Sequence, residues 1–398
     1  KNASTRNRNA IQRMADMQDA TIDFTRRVCS AIGEHLFADK FVKLELEKAV
    51  GPAGSGKTHE LIDVFLRSLK ILSPGKKSYF IVPSHEHAKR RQSVILKQSG
   101  GKGLFDLNVL TLTELMEQLV FFRRGDAPVS LQSHLLRETL FEVQPNLKIF
   151  SEAVQLPGVC RQLGNTLDEL EQLNLLNFDR VEIPPSLRKN SKKIPGLTEK
   201  LQDIYLIAER YFLRLKKKGL KTQAKVHRLW IEYLKQNKNR ADLIESIYLD
   251  GFFDFKPIQL EWLAWLKNNV SEMIIPIIAE NNRADIFQFP LKTVKTLEAI
   301  GFQLSSKSFE RGRRFQSQGI ATLEKNLFDP KTEPSPSSDG IFVMQAATPV
   351  LEIKALAVQI MQLVQKNKYR LSDIAVLYNR LSENYQELRR VFKEYQIT

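Results

Sequence analysis

The chain has 398 residues, 42% of them apolar, with a formal net charge of +15 and a pI near 9.6. That length exceeds one ordinary core and calls for two or three domains. No apolar run is long enough to span a bilayer and no signal peptide is evident, so a membrane protein is excluded and a cytoplasmic location is expected.

Two cysteines, Cys29 and Cys160, supply neither a metal-site spacing nor a disulfide framework, and they suit a reducing compartment. The first residue is Lys1 rather than Met, so the natural start is expected upstream. Residues 1–40 read as a helical extension, with Ile22, Phe24, Val28, Ile32 and Leu36 on one stripe. Gln18 lies a whole helix away from the next feature and is given no base-recognition role.

Residues 41–127 form the first part of an α/β domain. Leu44-Glu45-Leu46-Glu47 alternates as a strand and Ala49-Val50 runs into Gly51-Pro52-Ala53-Gly54-Ser55-Gly56-Lys57-Thr58. This is an uninterrupted G-x-x-x-x-G-K-[ST] loop. Its small residues let consecutive N–H groups turn toward phosphate oxygens, with Gly51, Gly54, Ser55 and Gly56 forming the cradle. Lys57 is placed to reach the β- and γ-phosphates of ATP, and the Thr58 hydroxyl to hold Mg²⁺. Leu61, Ile62, Phe65, Leu66 and Leu69 then recur at helical spacing, so a helix N-terminus follows the loop. The bland alternative is a Gly-rich turn with an accidental Lys-Thr.

A buried strand follows over Ser78–Val82, then a helix from Glu86 to Gln98, a third strand over Val109–Leu112, and a helix over Glu114–Phe121 with Thr113 as its N-cap. Strands alternating with helices point to a parallel, doubly wound sheet with its ligands at the carboxyl edge. Residues 128–241 read as an all-helical insertion, with helices over Leu131–Val143, Val159–Leu176, Glu199–Lys218 and Val226–Asn237. Between Arg188 and Arg240 sixteen Lys/Arg stand against four acids, a local excess of +12. Such an excess is the footprint of a polyanion, and Lys216, Lys217 and Lys218 are its densest run. Tyr205, Tyr211, Phe212, Trp230 and Tyr233 interleave with the charge as base-stacking candidates, though some of them must also be core. A solvated helical face is the bland alternative.

The sheet resumes over 242–304. Ile244–Leu249 is a strand ending at Asp250, the expected second Mg²⁺ carboxylate; a turn Asp before Gly251 is the alternative. Met273–Ile278 is one further strand. Residues 305–340, with Arg311, Arg313 and Arg314 and a Pro/Ser-rich end, form a linker. A second α/β unit begins at 341–398, with strands over Ile341–Met344 and Ile374–Tyr378 and helices over Leu351–Val364 and through Val391-Phe392. The chain stops after two strands of that unit and is expected to be part of a longer protein.

This order of blocks resembles the superfamily 1 UvrD-like helicase core, and more closely the amino-terminal half of AddB/RexB-type helicase–nuclease subunits of bacterial double-strand-break processing. The carrying residues are Gly51–Thr58; Phe80-Ile81-Val82-Pro83 with Arg90 and Arg91; Gly103-Leu104-Phe105 with Val109-Leu110-Thr111; Pro157-Gly158 with Asp168-Glu169-Leu170; Leu249-Asp250-Gly251-Phe252-Phe253-Asp254-Phe255; and Ile374–Leu377 through Arg380. The resemblance spans roughly residues 42–398, and only the phosphate loop is specific on its own. It implies a P-loop NTPase fold and contact with single-stranded or end-containing double-stranded DNA through the loop after Val82 (Ser84, Arg90, Arg91) and the segment at Thr111. It further implies an AddA-like second subunit, and a γ-phosphate contact from Arg380.

One departure matters. Active helicases of this superfamily carry Asp-Glu, and here Gly251 follows Asp250; glycine cannot act as a base. The Asp-Gly-Phe pattern is typical of AddB-type subunits, so weak or absent hydrolysis is expected. Asp254 could substitute only if the Phe252-Phe253 segment bent back. The family's nuclease motif and iron–sulfur cysteines are not in this chain: Glu45-Leu46-Glu47-Lys48 is an ordinary charged alternation, and two cysteines cannot hold a four-cysteine cluster. Two rivals stand beside the ATP-binding helicase-like subunit. One is a DNA-binding scaffold with a relic P-loop, and the other is an unrelated P-loop ATPase or kinase.

Overall fold

A computed structural model describes residues 50–51, 53–100, 107–120, 128–156, 158–191, 194–280, 283, 285–303, 315, 317–329, 334, 337–367 and 369–397. The helix expected over residues 1–40, the strand residues before Val50, the Gly103-Leu104-Phe105 block and Arg311, Arg313 and Arg314 lie outside them. The chain divides into two compact units, residues 1–314 and 315–398.

The first unit is α/β. Strands β2 (Lys77–Val82), β3 (Asn108–Thr111), β4 (Ile244–Leu249) and β5 (Glu272–Ile274) form a parallel sheet in the order β3-β2-β4-β5. Strand β1 (Val50–Gly51) pairs in parallel with β6 (Ile277–Ile278), Val50 opposite Ile277. Only Ile275-Pro276 separates β5 from β6, so one stretch of chain pairs with β4 and then with β1. The single strand expected over Met273–Ile278 is therefore two: Pro276 has no N–H to donate and restricts the residue before it.

Alternation along β2 sends Phe80 and Val82 to one face and Tyr79 and Ile81 to the other. Phe80, Val82, Val109, Tyr248 and Ile274 pack with α1 (Lys57–Ser68) and α2 (His85–Gln98) through Leu61, Ile62, Phe65, Ala88 and Ile95. Phe65 meets Phe80 and Tyr248 edge-on, with centroids 5.4 and 5.7 Å away. The opposite face, with Tyr79, Ile81, Ile247 and Leu249, is covered by α3 (Leu112–Val120), α8 (Gln223–Gln236) and α9 (Pro257–Lys267). Burial on both faces explains why these strands read as near-continuous apolar runs. Helix α3 starts earlier than expected and Thr111, not Thr113, caps it. The Thr111 hydroxyl accepts from Glu114 N while the Glu114 carboxylate accepts from Thr111 N at 2.7 Å, a capping box.

Between β3 and β4 lie α4 (Val129–Val143), α5 (Val159–Gln172), α6 (Pro185–Ser191), α7 (Leu197–Lys217) and α8. Helices α4, α5 and α7 share a second core. Asp203, buried on α7, fastens the loop after α4 by accepting from the backbone N–H groups of Lys148, Ile149 and Phe150. Helix α8 leaves that core and joins the sheet: Trp230 stacks near Trp262 at 6.1 Å, and Trp265 Nε1 donates to Leu234 O at 3.1 Å. Tyr205, Tyr211, Phe212 and Trp230 are all buried. These four aromatics are therefore core, because at helical spacing they fall on the inward stripe; Tyr233 is half-buried at the edge of the sheet core, with the Arg240 guanidinium 6.0 Å from its ring centre.

In the second unit α11 (Gln318–Asn326) precedes α12 (Pro349–Asn367) and α13 (Leu381–Glu394), the latter two joined through Ile353, Ala357 and Val391; α10 (Gln288–Ala299) ends the first unit. The two expected strands are not formed. Phe342 and Val343 are 94% and 96% exposed, and Leu377 is 88% exposed. Ile374 is extended (φ −110°, ψ 129°), and Ile374, Val376 and Tyr378 alternate inward as a strand would. Among the described residues, however, no neighbouring strand pairs with either segment. Extended backbone without a ladder partner is not a strand.

Candidate functional site

Four segments leave the carboxyl edge of the sheet together: the loop after β1, Pro83-Ser84 after β2, Asp250-Gly251 after β4, and Ala279-Glu280 after β6. The chain reverses its walk across the sheet between β2 and β4, and a crevice at such a point is where α/β sheets bind ligands.

In the loop, Gly54 and Gly56 hold φ of 71° and 89°, the left-handed region that glycine enters without strain. Gly56 is the N-cap of α1 and provides no side-chain cap, so the first-turn N–H groups of the helix keep their capacity for an anion. Ser55 is buried, as is Lys57, whose Nζ donates to Ser55 Oγ at 3.0 Å. The loop thus folds its lysine back along itself. Thr58 Oγ1 donates to Asp250 Oδ1 at 2.8 Å, tying together residues 192 positions apart.

Asp250 is 4% exposed and its N–H continues the ladder to Ile81 O at 2.9 Å. Its second oxygen, Oδ2, lies 2.6 Å from Arg91 Nε on α2. That contact is an ion pair without hydrogen-bond alignment, since Oδ2 receives no hydrogen bond. A carboxylate and a hydroxyl side by side fit a Mg²⁺ that arrives with phosphate oxygens, and among the described residues no three acidic, Cys or His side chains cluster as a metal site. They do not make a site for a metal alone.

Gly251 has φ +82°, and a Cβ there would stand 3.5 Å from Pro83 Cδ. The space is tolerable, but the backbone is strained for any residue other than glycine. A residue with a side chain after Asp250 would therefore meet a strained backbone as well as a new neighbour. Phe252 is buried and stacks on Phe255 at 5.0 Å, while Asp254 is exposed.

The other sequence candidates are spread more widely. Ser84 caps α2, accepting from His87 N at 3.4 Å, and Arg90 is exposed. Thr111 is buried and engaged with Glu114. Lys216, Lys217 and Lys218 are exposed at the end of α7, with Lys216 donating to Asp179 O at 3.2 Å. Arg380 belongs to the second unit and pairs with Glu383 at 3.1 Å, 74% exposed. Such a pair is worth under about 1 kcal/mol and restrains it weakly.

Sequence reasoning named Arg91 without its partner and passed over Glu280. The signal for Arg91 is its place on the Ala88–Arg91–Ile95 stripe, where the two apolar residues are buried; an arginine on an inward stripe implies a buried anion. Glu280 ends an Ile277-Ile278-Ala279 run and is 8% exposed beside the β1 strand that feeds the loop.

Residues 49–324 match the family described as ADDB, N-terminal. Three curated relatives are each named as a subunit of an ATP-dependent helicase/deoxyribonuclease. The one from Carboxydothermus hydrogenoformans is 27% identical over 356 residues, covering 87% of this chain and 31% of the relative. That from Exiguobacterium sibiricum is 28% identical over 365 residues, with 87% and 30% covered. That from Bacillus pumilus is 23% identical over 375 residues, with 89% and 32% covered. The chain thus spans about a third of the length of these relatives. With its family match running from the strand before the phosphate loop into α11, the chain belongs to the AddB family through that family's amino-terminal region.

Proposed function

We propose that this chain is the nucleotide-binding, DNA-engaging part of a helicase–nuclease subunit that acts in double-strand-break repair beside an AddA-like partner. In this reading the α/β unit is a P-loop NTPase fold that binds ATP and turns it over weakly or not at all. The observation that carries it is the 2.8 Å bond from Thr58 to Asp250, which joins the phosphate loop to the strand end where a Mg²⁺ carboxylate belongs.

Each residue has a role in it. The Gly54–Gly56 turn and the first N–H groups of α1 hold phosphate oxygens. Lys57 exchanges Ser55 for a phosphate, and Thr58 with Asp250 holds the cation. Mg²⁺, held by Thr58 and Asp250 with the nucleotide, would supply positive charge against the phosphates. In sequence no carboxylate directly follows Asp250 to polarise a water: Gly251 takes that place and Asp254 is turned to solvent. Arg380 is proposed as a γ-phosphate contact, and the exposed Arg90 and Lys216–Lys218 as phosphate-backbone contacts for single-stranded or end-containing double-stranded DNA. A cytoplasmic location, where bacterial DNA is handled, goes with this reading. Among the described residues no helix is long and apolar enough to cross a membrane.

Lys57→Ala tests the reading. ATP affinity is expected to fall at least tenfold, with DNA affinity nearly unchanged. Equal ATP affinity in both proteins would make the loop a relic and favour the nucleotide-independent scaffold.

A further inference from the structure

We infer that Arg91 is a resident counter-cation of Asp250, so that this site takes the polyphosphate of a nucleotide with little help from a divalent metal. The inference rests on the nucleotide-binding reading above and adds a property that the reading leaves open.

The argument begins with burial. A carboxylate at 4% exposure has lost most of its hydration, and a neighbouring opposite charge offsets that loss. In a phosphate-loop site that charge is ordinarily a metal's. Here a guanidinium occupies the place, with Nε 2.6 Å from Oδ2 and the arginine side chain only 28% exposed. Its position is fixed from two sides. Ser84 caps the start of α2, and Ala88 and Ile95 bury the stripe that carries Arg91. Asp250 in turn is fixed by its backbone bond to Ile81 and by the Thr58 hydroxyl.

The contact is charge against charge, with no N–H aimed along an oxygen lone pair. A cation can compete for such a site, but only by displacing a guanidinium held on an inward stripe. Metal and arginine therefore oppose each other on one carboxylate, and the gain in nucleotide affinity from Mg²⁺ is correspondingly small.

The test is equilibrium binding of a fluorescent ATP analogue, in excess EDTA and in excess Mg²⁺, with no turnover readout. For the wild type the two dissociation constants are expected to agree within about threefold. For Arg91→Ala, Mg²⁺ is expected to strengthen binding at least tenfold, because Asp250 is then an uncompensated carboxylate. Arg91→Lys, which keeps a charge, is expected to fall between them, and circular dichroism reports whether each variant folds. A wild type that itself needs Mg²⁺ by tenfold or more overturns the inference whatever the variants do, and leaves the nucleotide-binding reading standing. So does a folded Arg91→Ala with unchanged metal dependence. Loss of binding in both buffers by the wild type overturns the reading and this inference together.

Discussion

Asp250 and Lys217 are both charged and both singled out by sequence, yet they sit in opposite physical situations. Asp250 is buried at a strand end, with a hydroxyl from one distant segment and a guanidinium from another on its two oxygens. Lys217 and Lys218 stand in solvent at the end of α7, where cations also suit the helix dipole. The aromatics beside them point away, into the second core. The carboxyl edge of the sheet is a candidate site because separate pieces of chain converge there on Asp250. The basic helical layer is a surface, and whatever it binds must be held by net charge and salt-sensitive contacts.

Substitutions can break that contrast or sharpen it, and the largest effect is expected in the helical layer. Phe212 is 1% exposed and packs on Phe178 with centroids 5.0 Å apart. Phe212→Ala should cost about 3–5 kcal/mol of stability in denaturant unfolding. A fully stable variant with weakened DNA binding would instead make this ring a base-stacking platform.

Glu171 comes next. It lies on α5, 1% exposed, and accepts from Thr222 Oγ1 at 2.7 Å just before α8, with Arg228, Lys225 and Asp168 nearby. Burial pushes its carboxyl up from the ordinary 4.5 to about 7, against the Thr222 hydrogen bond and the Arg228 charge. The folded chain therefore holds more protons than the unfolded chain between those values, and stability falls as pH rises from about 4.5 to about 7. Glu171→Gln removes that slope. Relative to wild type it should gain up to about 3 kcal/mol at pH 8 and lose that advantage below about pH 5. Parallel stability curves for the two proteins would show that Glu171 is ionised and compensated in the native state.

Gly251 brings the comparison back to the sheet edge. With φ at +82°, Gly251→Ala should cost about 1–2 kcal/mol. Gly251→Glu should be destabilised at least as much and should gain no ATPase. Robust turnover in Gly251→Glu would show that only the missing carboxylate stops hydrolysis. The smallest effect is expected from Lys217→Glu with Lys218→Glu, which should leave stability within about 0.5 kcal/mol. If DNA crosses this face, the salt slope of DNA binding should drop by about 2. An unchanged slope moves the DNA path elsewhere.

The sheet was legible in sequence because its central strands β2 and β4 are apolar runs buried on both faces. The turn at Gly54–Gly56 was legible because the glycines that allow it lie close together in sequence, and both take a positive φ. The Met273–Ile278 strand failed at Pro276, whose missing N–H is a local fact outweighed by the apolar run around it. Ile341–Met344 and Ile374–Tyr378 carry strand composition, but strand pairing is non-local and no ladder forms there among the described residues. The aromatics of α7 and α8 read as possible stacking groups until their inward spacing was weighed. The Arg91–Asp250 contact needed the packing of α2 against the sheet, which periodicity hints at and only the fold completes.

At the centre stands the proposal that the Gly51–Thr58 loop binds ATP and turns it over weakly or not at all. A single-turnover experiment with γ-labelled ATP, run on the wild type and on Lys57→Ala, tests it most directly. The account predicts that the wild type retains the label as intact ATP for many minutes and that Lys57→Ala retains none. Prompt release of labelled phosphate by the wild type, abolished in Lys57→Ala, would contradict it, as would a wild type that retains no ATP at all.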